Sequence, residues 1–183
     1  IAGIYRSRPL RSMPGRDLRP TSDRLRETLF NVLTAGNPSA LEGTVWVDLF
    51  AGTGAVGIEA LSRGAAMVHF VESSVKAAQL IQKNLQLLGI ATGFEVLKQD
   101  AIRAVGVLEK TNSDFVFFDP PYRMDEAYKQ TLEALAGSSL LRQDGTVVAE
   151  HDKRFDPGEK FGRLQRSRKL EQGDSALSFY KIT

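Results

Sequence analysis

Short apolar segments alternate with longer amphipathic segments over most of this 183-residue chain. A short apolar run is typical of a buried strand, whereas apolar residues at every third or fourth position are typical of a helix. Strands that alternate with helices form a parallel sheet with helices on both faces, so the sequence predicts a doubly wound α/β protein. The predicted strands are 45–50, 67–71, 94–97, 114–118 and 145–150, and the predicted helices between them are 56–62, 75–88 and 126–135.

Both ends of the chain depart from this alternation. Near the carboxyl end, segments 164–171 and 176–182 flank a Gly-Asp pair and predict an antiparallel hairpin. Near the amino end, leucines at every fourth position predict a helix over 21–35, and prolines favour extended or turn structure over 1–20. The length suits a single domain over 1–183, in which 1–20 forms an arm before the helix.

The chain has no cysteine and two histidines, His69 and His151. Disulfides, thiolate zinc sites and a cysteine nucleophile are therefore excluded, and no metal site is expected. No apolar run approaches the roughly 20 residues that span a membrane, and the Arg-rich amino end is unlike a signal peptide. We expect a cytoplasmic protein whose chemistry uses carboxylates, hydroxyls, backbone groups or a cofactor.

Positive charge is concentrated near the amino end. The first 26 residues contain seven arginines and two aspartates, whereas the remaining residues carry 17 basic and 20 acidic side chains. Arginine forms bidentate contacts with phosphate and stacks on bases, so this segment is a candidate nucleic-acid-binding arm. A solvated terminus explains the same charge equally well.

A glycine-rich loop, Gly-Thr-Gly-Ala-Val-Gly over 52–57, follows the first predicted strand. Its spacing matches G-x-G-x-x-G, and Glu72 lies 20 residues after the first glycine. Together these features are the fingerprint of a dinucleotide-binding turn. On this motif alone, an NAD-dependent oxidoreductase is an open alternative.

Asp48, four residues before the first glycine, favours a different ligand. A carboxylate here would repel the diphosphate of a dinucleotide, but it would attract the sulfonium and ammonium groups of S-adenosylmethionine. Glu72 is expected to accept hydrogen bonds from both ribose hydroxyls. Asp100 is expected to accept from the adenine amine, with the backbone of Ala101 against the ring edge, and a surface turn is the alternative role for Asp100.

The segment Asp119-Pro120-Pro121-Tyr122 follows the fourth predicted strand. The two prolines stiffen the turn that displays Asp119 and Tyr122. A carboxylate beside an aromatic ring suits a flipped nucleobase, whose amine donates to Asp119 while its ring stacks on Tyr122. Hydrogen bonds to Asp119 and to the Pro120 carbonyl would direct the amine lone pair at a methyl donor, and Asp119 would stabilise the charge that grows on nitrogen.

With these motifs the chain resembles the bacterial 16S ribosomal RNA guanine-N2 methyltransferases. The resemblance extends over nearly the whole chain and lies in 1–3, 19–31, 48–54, 59–65, 70–72 and 119–122, together with the Gly-Asp hairpin. Segment 19–31 is its specific part, because many amino-methyltransferases share the glycine loop and the Asp-Pro-Pro-Tyr motif. The resemblance implies a Rossmann-like, mostly parallel, seven-stranded methyltransferase sheet with a carboxyl-terminal antiparallel hairpin. It also implies an S-adenosylmethionine-dependent enzyme that methylates one guanine of 16S rRNA.

The motifs and the resemblance together give three sets of candidate residues. The candidate catalytic residues are Asp119, Pro120 and Tyr122. The candidate cofactor-binding residues are Asp48, Phe50, Ala51, Gly52, Gly54, Glu72, Asp100 and Ala101. The candidate substrate-binding residues are Arg6, Arg8, Arg19, Thr21, Arg24, Pro121 and Tyr122.

The expected partner is 16S rRNA or the small ribosomal subunit, and a monomer is the expected state. Other acceptors of the same chemistry are an adenine or cytosine amine in DNA and a protein glutamine. Besides the NAD-dependent oxidoreductase, an RNA-binding module without catalytic activity is a further alternative.

Overall fold

The computed structural model describes residues 3–12, 20–121 and 125–183, without the side chains of 20–22. Its α-helices are α1 (Pro20–Leu33), α2 (Ala55–Ser62), α3 (Val75–Leu87), α4 (Ala101–Val107) and α5 (Asp125–Gly137). Its strands are β1 (Val45–Leu49), β2 (Met67–Val71), β3 (Phe94–Leu97), β4 (Ser113–Phe118), β5 (Leu141–Asp152), β6 (Lys160–Phe161), β7 (Leu164–Gln172) and β8 (Ser175–Ile182). Short 3-10 helices occupy Gly3–Tyr5 and Glu109–Thr111.

The described strands form one sheet in the order β3-β2-β1-β4-β5-β8-β7-β6. The first five strands are parallel, and the last three extend the sheet with antiparallel pairing. The predicted fold class, a doubly wound and mostly parallel sheet with an antiparallel hairpin at its end, is confirmed. The expected strand number of seven is wrong by one, because β6 adds a two-residue strand against the start of β7. A strand of two residues, Lys160–Phe161, is too short to give a periodic signal.

The strand order reverses at β1. The chain moves outward from β1 to β2 and β3, then returns to the opposite side of β1 as β4. In open parallel sheets of this kind, ligands bind beyond the carboxyl ends of the strands at the point of reversal. A ligand is therefore expected to bind at the loops that follow β1, β2 and β4.

Apolar side chains fill both sides of the sheet. On one side, the core that includes Leu29, Trp46 and Ile58 lies beneath α1, α2 and α3. On the other side, the core that includes Val116 and Leu132 lies beneath α4 and α5. Trp46 is fully buried, and its ring stacks on two phenylalanines at centroid distances of 5.5 Å and 4.6 Å. Both faces of the sheet are thus covered, as a parallel sheet requires.

Two elements differ from the expectation. The helix α4 was not predicted, because its seven residues are short for a periodic signal and include a glycine. The strand β5 begins at Leu141, four residues before the predicted start, and its pairing with β4 shifts register between Ser113 and Phe115. Within the described residues, no helix combines the length and the apolar character needed to cross a membrane.

Candidate active site

Acidic side chains follow the strands that end at the point of reversal. Asp48 lies in β1, Glu72 follows β2, and Asp119 follows β4. These strands are parallel neighbours, so their carboxyl ends lie along one edge of the sheet. The charges of Asp119 and Glu72 both raise the pKa of the Asp48 carboxyl, in agreement with this shared edge.

The loop after β1 has an unusual backbone conformation. Phe50, Gly52 and Gly54 have positive φ angles of 59°, 57° and 78°. The Gly54 amide donates to the carbonyl of Ala51 at 2.7 Å, and Gly54 then leads into α2. Glycine adopts such angles without the steric cost that a side chain would impose. The two glycines therefore let the chain make this tight turn into α2 without a side chain at either position.

Gly57 allows α2 to approach the sheet closely. A Cβ atom at this position would lie 2.3 Å from Cε1 of Phe70 and 2.8 Å from Cγ1 of Val68. The third glycine of the G-x-G-x-x-G motif thus serves helix-to-strand packing, while the first two serve the turn.

Asp48 is buried, and its Oδ2 accepts a hydrogen bond from the Gly57 amide at 3.0 Å. Burial, helped by the charges of Asp119 and Glu72, outweighs the lowering effect of the Gly57 hydrogen bond and raises the pKa of the Asp48 carboxyl to about 7. The sequence indicated only that Asp48 would face a ligand. The structure gives it a second role, because it holds the amino-terminal turn of α2 on the end of β1.

Glu72 connects the glycine loop to the next helix. Its Oε2 accepts from the Gly52 amide at 2.9 Å, and its Oε1 accepts from the Ser74 amide at 2.8 Å. Ser74 in turn caps α3. A carboxylate has about four lone-pair sites, so these two bonds orient Glu72 and leave it capacity to accept from hydroxyl groups.

Asp100 is the N-cap of α4. Its Oδ1 accepts from the Ile102 amide at 2.9 Å and from the Arg103 amide at 3.2 Å. Asp100 is exposed in the turn between β3 and α4, whereas Ala101 is buried. The sequence does not predict this capping role, because the helix that Asp100 caps is only seven residues long and gives a weak periodic signal.

Asp119 is exposed directly beyond β4, whereas Pro120 is buried and Pro121 is exposed. Tyr122, the predicted stacking residue, lies outside the described residues. The buried ring of Tyr128, from α5, lies against the same small cleft as Asp119 and Pro120. Its hydroxyl donates to the Glu150 carbonyl at 2.9 Å. Burial, with a contribution from the Asp119 charge, raises the pKa of this hydroxyl well above its ordinary value, so Tyr128 acts there as a neutral donor.

The segment 3–12 is fixed against the helices next to the glycine loop. The Tyr5 amide donates to Ser62 Oγ at 2.9 Å, and the Arg11 amide donates to Asn84 Oδ1 at 2.8 Å. Asn84 is fully buried, and its Nδ2 donates to the carbonyls of Arg11 and of Thr53 in the glycine loop. Asn84 therefore connects the amino-terminal segment to the candidate cofactor site.

Sequence reasoning missed Asn84, although a signal was present. A polar residue at the buried position next to Leu85, on the apolar face of a predicted helix, requires a hydrogen-bonding partner.

The candidate substrate-binding residues are distributed along the amino-terminal part of the chain. Arg6, Arg8 and Arg24 are exposed, whereas Arg19 and the side chain of Thr21 lie outside the described residues. Arg26, counted with the basic arm, has a structural role instead. It lies 2.9 Å from Asp23 and 3.8 Å from the buried carboxylate of Glu59. Arg63 completes this group of charges at 2.8 Å from Glu59.

In the part of the chain that the structure describes, no group of three His, Cys, Asp or Glu side chains forms a metal site. His69 contacts Glu95 at 3.0 Å, and His151 contacts Ser178 at 2.9 Å. Burial lowers the pKa of His151, so the neutral ring is favoured. Both histidines thus have structural partners.

Known proteins share both the sequence and the fold of this chain. The family described as Conserved hypothetical protein 95 matches residues 1–181. "Putative rRNA methyltransferase YlbH" of Bacillus subtilis is 36% identical over 183 residues, which cover 99% of this chain and 97% of that protein. "Ribosomal RNA small subunit methyltransferase D" of Escherichia coli K12 is 36% identical over 154 residues, which cover 83% of this chain and 73% of that protein.

Solved structures of other proteins share the fold of this chain. "Putative methyltransferase yhhF" from Escherichia coli superposes with a TM-score of 0.81 at 28% identity, over 99% of this chain and 95% of that one. SMU.776, solved in complex with SAH, shares the fold alone, with a TM-score of 0.70 at 13% identity over 88% of this chain and 49% of that one. The chain therefore belongs to the family described as Conserved hypothetical protein 95, and its relatives at 36% identity carry the names of rRNA methyltransferases.

Proposed function

We propose that this protein transfers a methyl group from S-adenosylmethionine to the exocyclic N2 amine of a guanine in 16S rRNA. The observation that carries the proposal is that Asp48 and Glu72 both accept hydrogen bonds from the backbone of the glycine loop, while Asp119 follows the neighbouring parallel strand. The names of the relatives support the rRNA substrate.

The charge of the site favours a cationic donor. S-adenosylmethionine carries a sulfonium and an ammonium group, and both are attracted by carboxylates. The diphosphate of NAD would lie near Asp48 and be repelled by its carboxylate, although the loop spacing and Glu72 suit either ligand. Electrostatics therefore favours the methyl donor over the dinucleotide.

The residues around the loop fit the parts of this donor. Glu72 is oriented by two backbone amides and would accept from the ribose hydroxyls. Asp100 and Ala101, at the start of α4, would hold the adenine, and the backbone of 50–54 would surround the methionine portion. When bound, the donor supplies a methyl group on a sulfonium sulfur.

Asp119 and Pro120 would hold the acceptor. The Asp119 carboxylate and the Pro120 carbonyl accept the two amine hydrogens and so direct the nitrogen lone pair at the methyl carbon. As the nitrogen–carbon bond forms and the sulfur–carbon bond breaks, the positive charge on nitrogen is stabilised by Asp119. The amine then loses a proton to solvent. Tyr122 would stack on the base, and Pro121 would line its entry.

The amino-terminal arginines would bind the RNA backbone. Arg6 and Arg8 are exposed on a segment that Asn84 ties to the glycine loop, and Arg24 is exposed on α1. Arg19 and Thr21 belong to the same proposed surface. Because phosphate contacts release counterions, RNA affinity should fall steeply as salt is raised.

The experiment is to incubate the protein with small-subunit particles and isotope-labelled S-adenosylmethionine, then to digest the RNA and identify the labelled nucleoside by mass spectrometry. N2-methylguanosine is the expected product. Asp119→Ala should lower the single-turnover rate roughly 10²–10³-fold, as the loss of one transition-state hydrogen bond does elsewhere. Glu133→Gln, which removes an exposed acid on α5, is the matched control and should keep the parent rate.

Each other outcome overturns part of the proposal. Label in adenosine or cytidine would refute the guanine acceptor, and label in protein would refute the RNA substrate. An unchanged rate in Asp119→Ala would remove Asp119 from the mechanism.

A further inference from the structure

A second acidic side chain lies next to Asp119 on the neighbouring strand. The parallel pairing of β4 with β5 ends at Phe118 opposite Ala149. One residue further along each strand are Asp119 and Glu150. Paired neighbours in a sheet lie about 4.8 Å apart and point to the same face. The register therefore sets Asp119 and Glu150 side by side at the carboxyl edge of the sheet.

Alternation along the strands indicates the face to which Glu150 belongs. Val148, two residues before it, packs in the core beneath α1, α2 and α3, and so does Leu177, which pairs with Glu150. Phe117, two residues before Asp119, packs in that same core. Both carboxylates thus belong to one face of the sheet. They also border the same cleft, and both of their charges act on the Tyr128 hydroxyl.

The backbone of Glu150 is held in place from two sides. Its carbonyl accepts from the Tyr128 hydroxyl at 2.9 Å. His151, the next residue, contacts Ser178 Oγ at 2.9 Å and the Asp152 carbonyl at 2.8 Å through its two ring nitrogens. A fixed backbone limits the positions that the Glu150 carboxylate can reach, which lowers the ordering cost of recognition.

Two adjacent carboxylates suit a ligand that presents two adjacent N–H donors. Guanine is the standard base with this edge, since its N1–H lies beside its N2 amine. Adenine and cytosine carry an amine next to a ring nitrogen with a lone pair, which a carboxylate repels. A ligand with two donors also relieves the repulsion between the two acids.

We propose that Glu150 is the specificity-determining residue of the acceptor site and accepts the N1–H of the target guanine, while Asp119 accepts from the N2 amine. This inference rests on the proposed function and adds to it the physical reason for the choice of base. Adenine or cytosine presented to Asp119 through its amine would direct a lone pair at Glu150 and be rejected.

The test replaces the target guanine with 2-aminopurine, which keeps the N2 amine but has a lone pair at N1 and no O6. Particles reconstituted with either base at the mapped position are compared by kcat/KM for methyl transfer. The parent protein should prefer guanine by roughly 10²-fold or more, because a site built around a substrate N–H rejects the analogue that lacks it.

Glu150→Gln distinguishes this role from a structural one. The glutamine amide can donate to N1 of 2-aminopurine, so the variant should methylate 2-aminopurine at least 10-fold faster than the parent and methylate guanine more slowly. Loss of O6 alone predicts no such gain. Glu133→Gln should keep the parent preference, and SAH binding should be unchanged in both variants.

The outcomes separate this inference from the proposed function. A parent protein that transfers no methyl group to guanine refutes the proposed function. A parent that methylates guanine and 2-aminopurine equally well refutes only the role of Glu150, whether or not the variant folds. A folded Glu150→Gln variant with the parent preference refutes it as well.

Discussion

Replacing Asp48 with Asn should stabilise the ligand-free protein at neutral and alkaline pH. Burial raises the pKa of the Asp48 carboxyl from 3.8 to about 7 in the folded protein. Between these values the folded protein keeps a proton that the unfolded chain has lost, so the free energy of unfolding falls as the pH rises. Asparagine has no proton to lose, and its side-chain carbonyl can still accept from the Gly57 amide.

The size of the effect follows from the width of that pH window. Each pH unit within it lowers the free energy of unfolding by about 1.4 kcal/mol. The whole window, from pH 3.8 to about pH 7, corresponds to about 4 kcal/mol, and the part between pH 5 and pH 8 corresponds to about 3 kcal/mol. Asp48→Asn should therefore gain about 3 kcal/mol relative to the parent between pH 5 and pH 8.

Urea denaturation of the parent and of Asp48→Asn at pH 5 and at pH 8 measures this difference directly. Glu133→Gln, an exposed substitution, is the control and should track the parent at both pH values. If the difference between Asp48→Asn and the parent is the same at pH 5 and pH 8, the carboxyl does not titrate in this window. The Asp48 carboxylate would then not be a buried, destabilising charge at the glycine loop.

Two further substitutions test the surroundings of the site. Asn84→Ala removes three hydrogen bonds to Arg11 and Thr53 and should lower the free energy of unfolding by about 2–3 kcal/mol. Urea denaturation measures this loss. Trypsin should also cleave the variant after Arg11 faster than it cleaves the parent. Unchanged stability and cleavage would show that Asn84 does not hold the segment. Glu72→Gln replaces the charged acceptor of the Gly52 amide with a neutral one, and hydrogen bonds to charged groups are the stronger ones. Calorimetry should therefore show that the variant binds SAH roughly 10-fold more weakly than the parent. Equal SAH affinities of variant and parent would remove Glu72 from the cofactor site.

Much of the fold was predictable because each parallel strand carries its own signal. The buried segments around Trp46, Phe70 and Phe117 are apolar and bounded by turns, and the acids that follow them share one edge by the geometry of parallel strands. The convergence of Asp48, Glu72 and Asp119 was therefore available from their positions after the strands.

What could not be predicted depends on contacts between distant parts of the chain. The short helix α4 depends on the cap by Asp100, and β6 exists only because β7 pairs with it. The register between β4 and β5, which brings the residues after Phe118 and Ala149 side by side, contains an irregularity that no local pattern reveals. Likewise, Arg26 belongs to the arginine-rich segment that suggests RNA binding, but its side chain lies beside Glu59 of α2.

The most direct test of whether this acidic edge selects a sulfonium donor is calorimetric titration of ligand-free protein, with S-adenosylmethionine in one sample and with NAD in another. Saturable binding of S-adenosylmethionine at a single site, with no heat of binding from millimolar NAD, is the expected result. Binding of NAD without binding of S-adenosylmethionine would contradict the electrostatic argument on which the proposed methyl transfer depends.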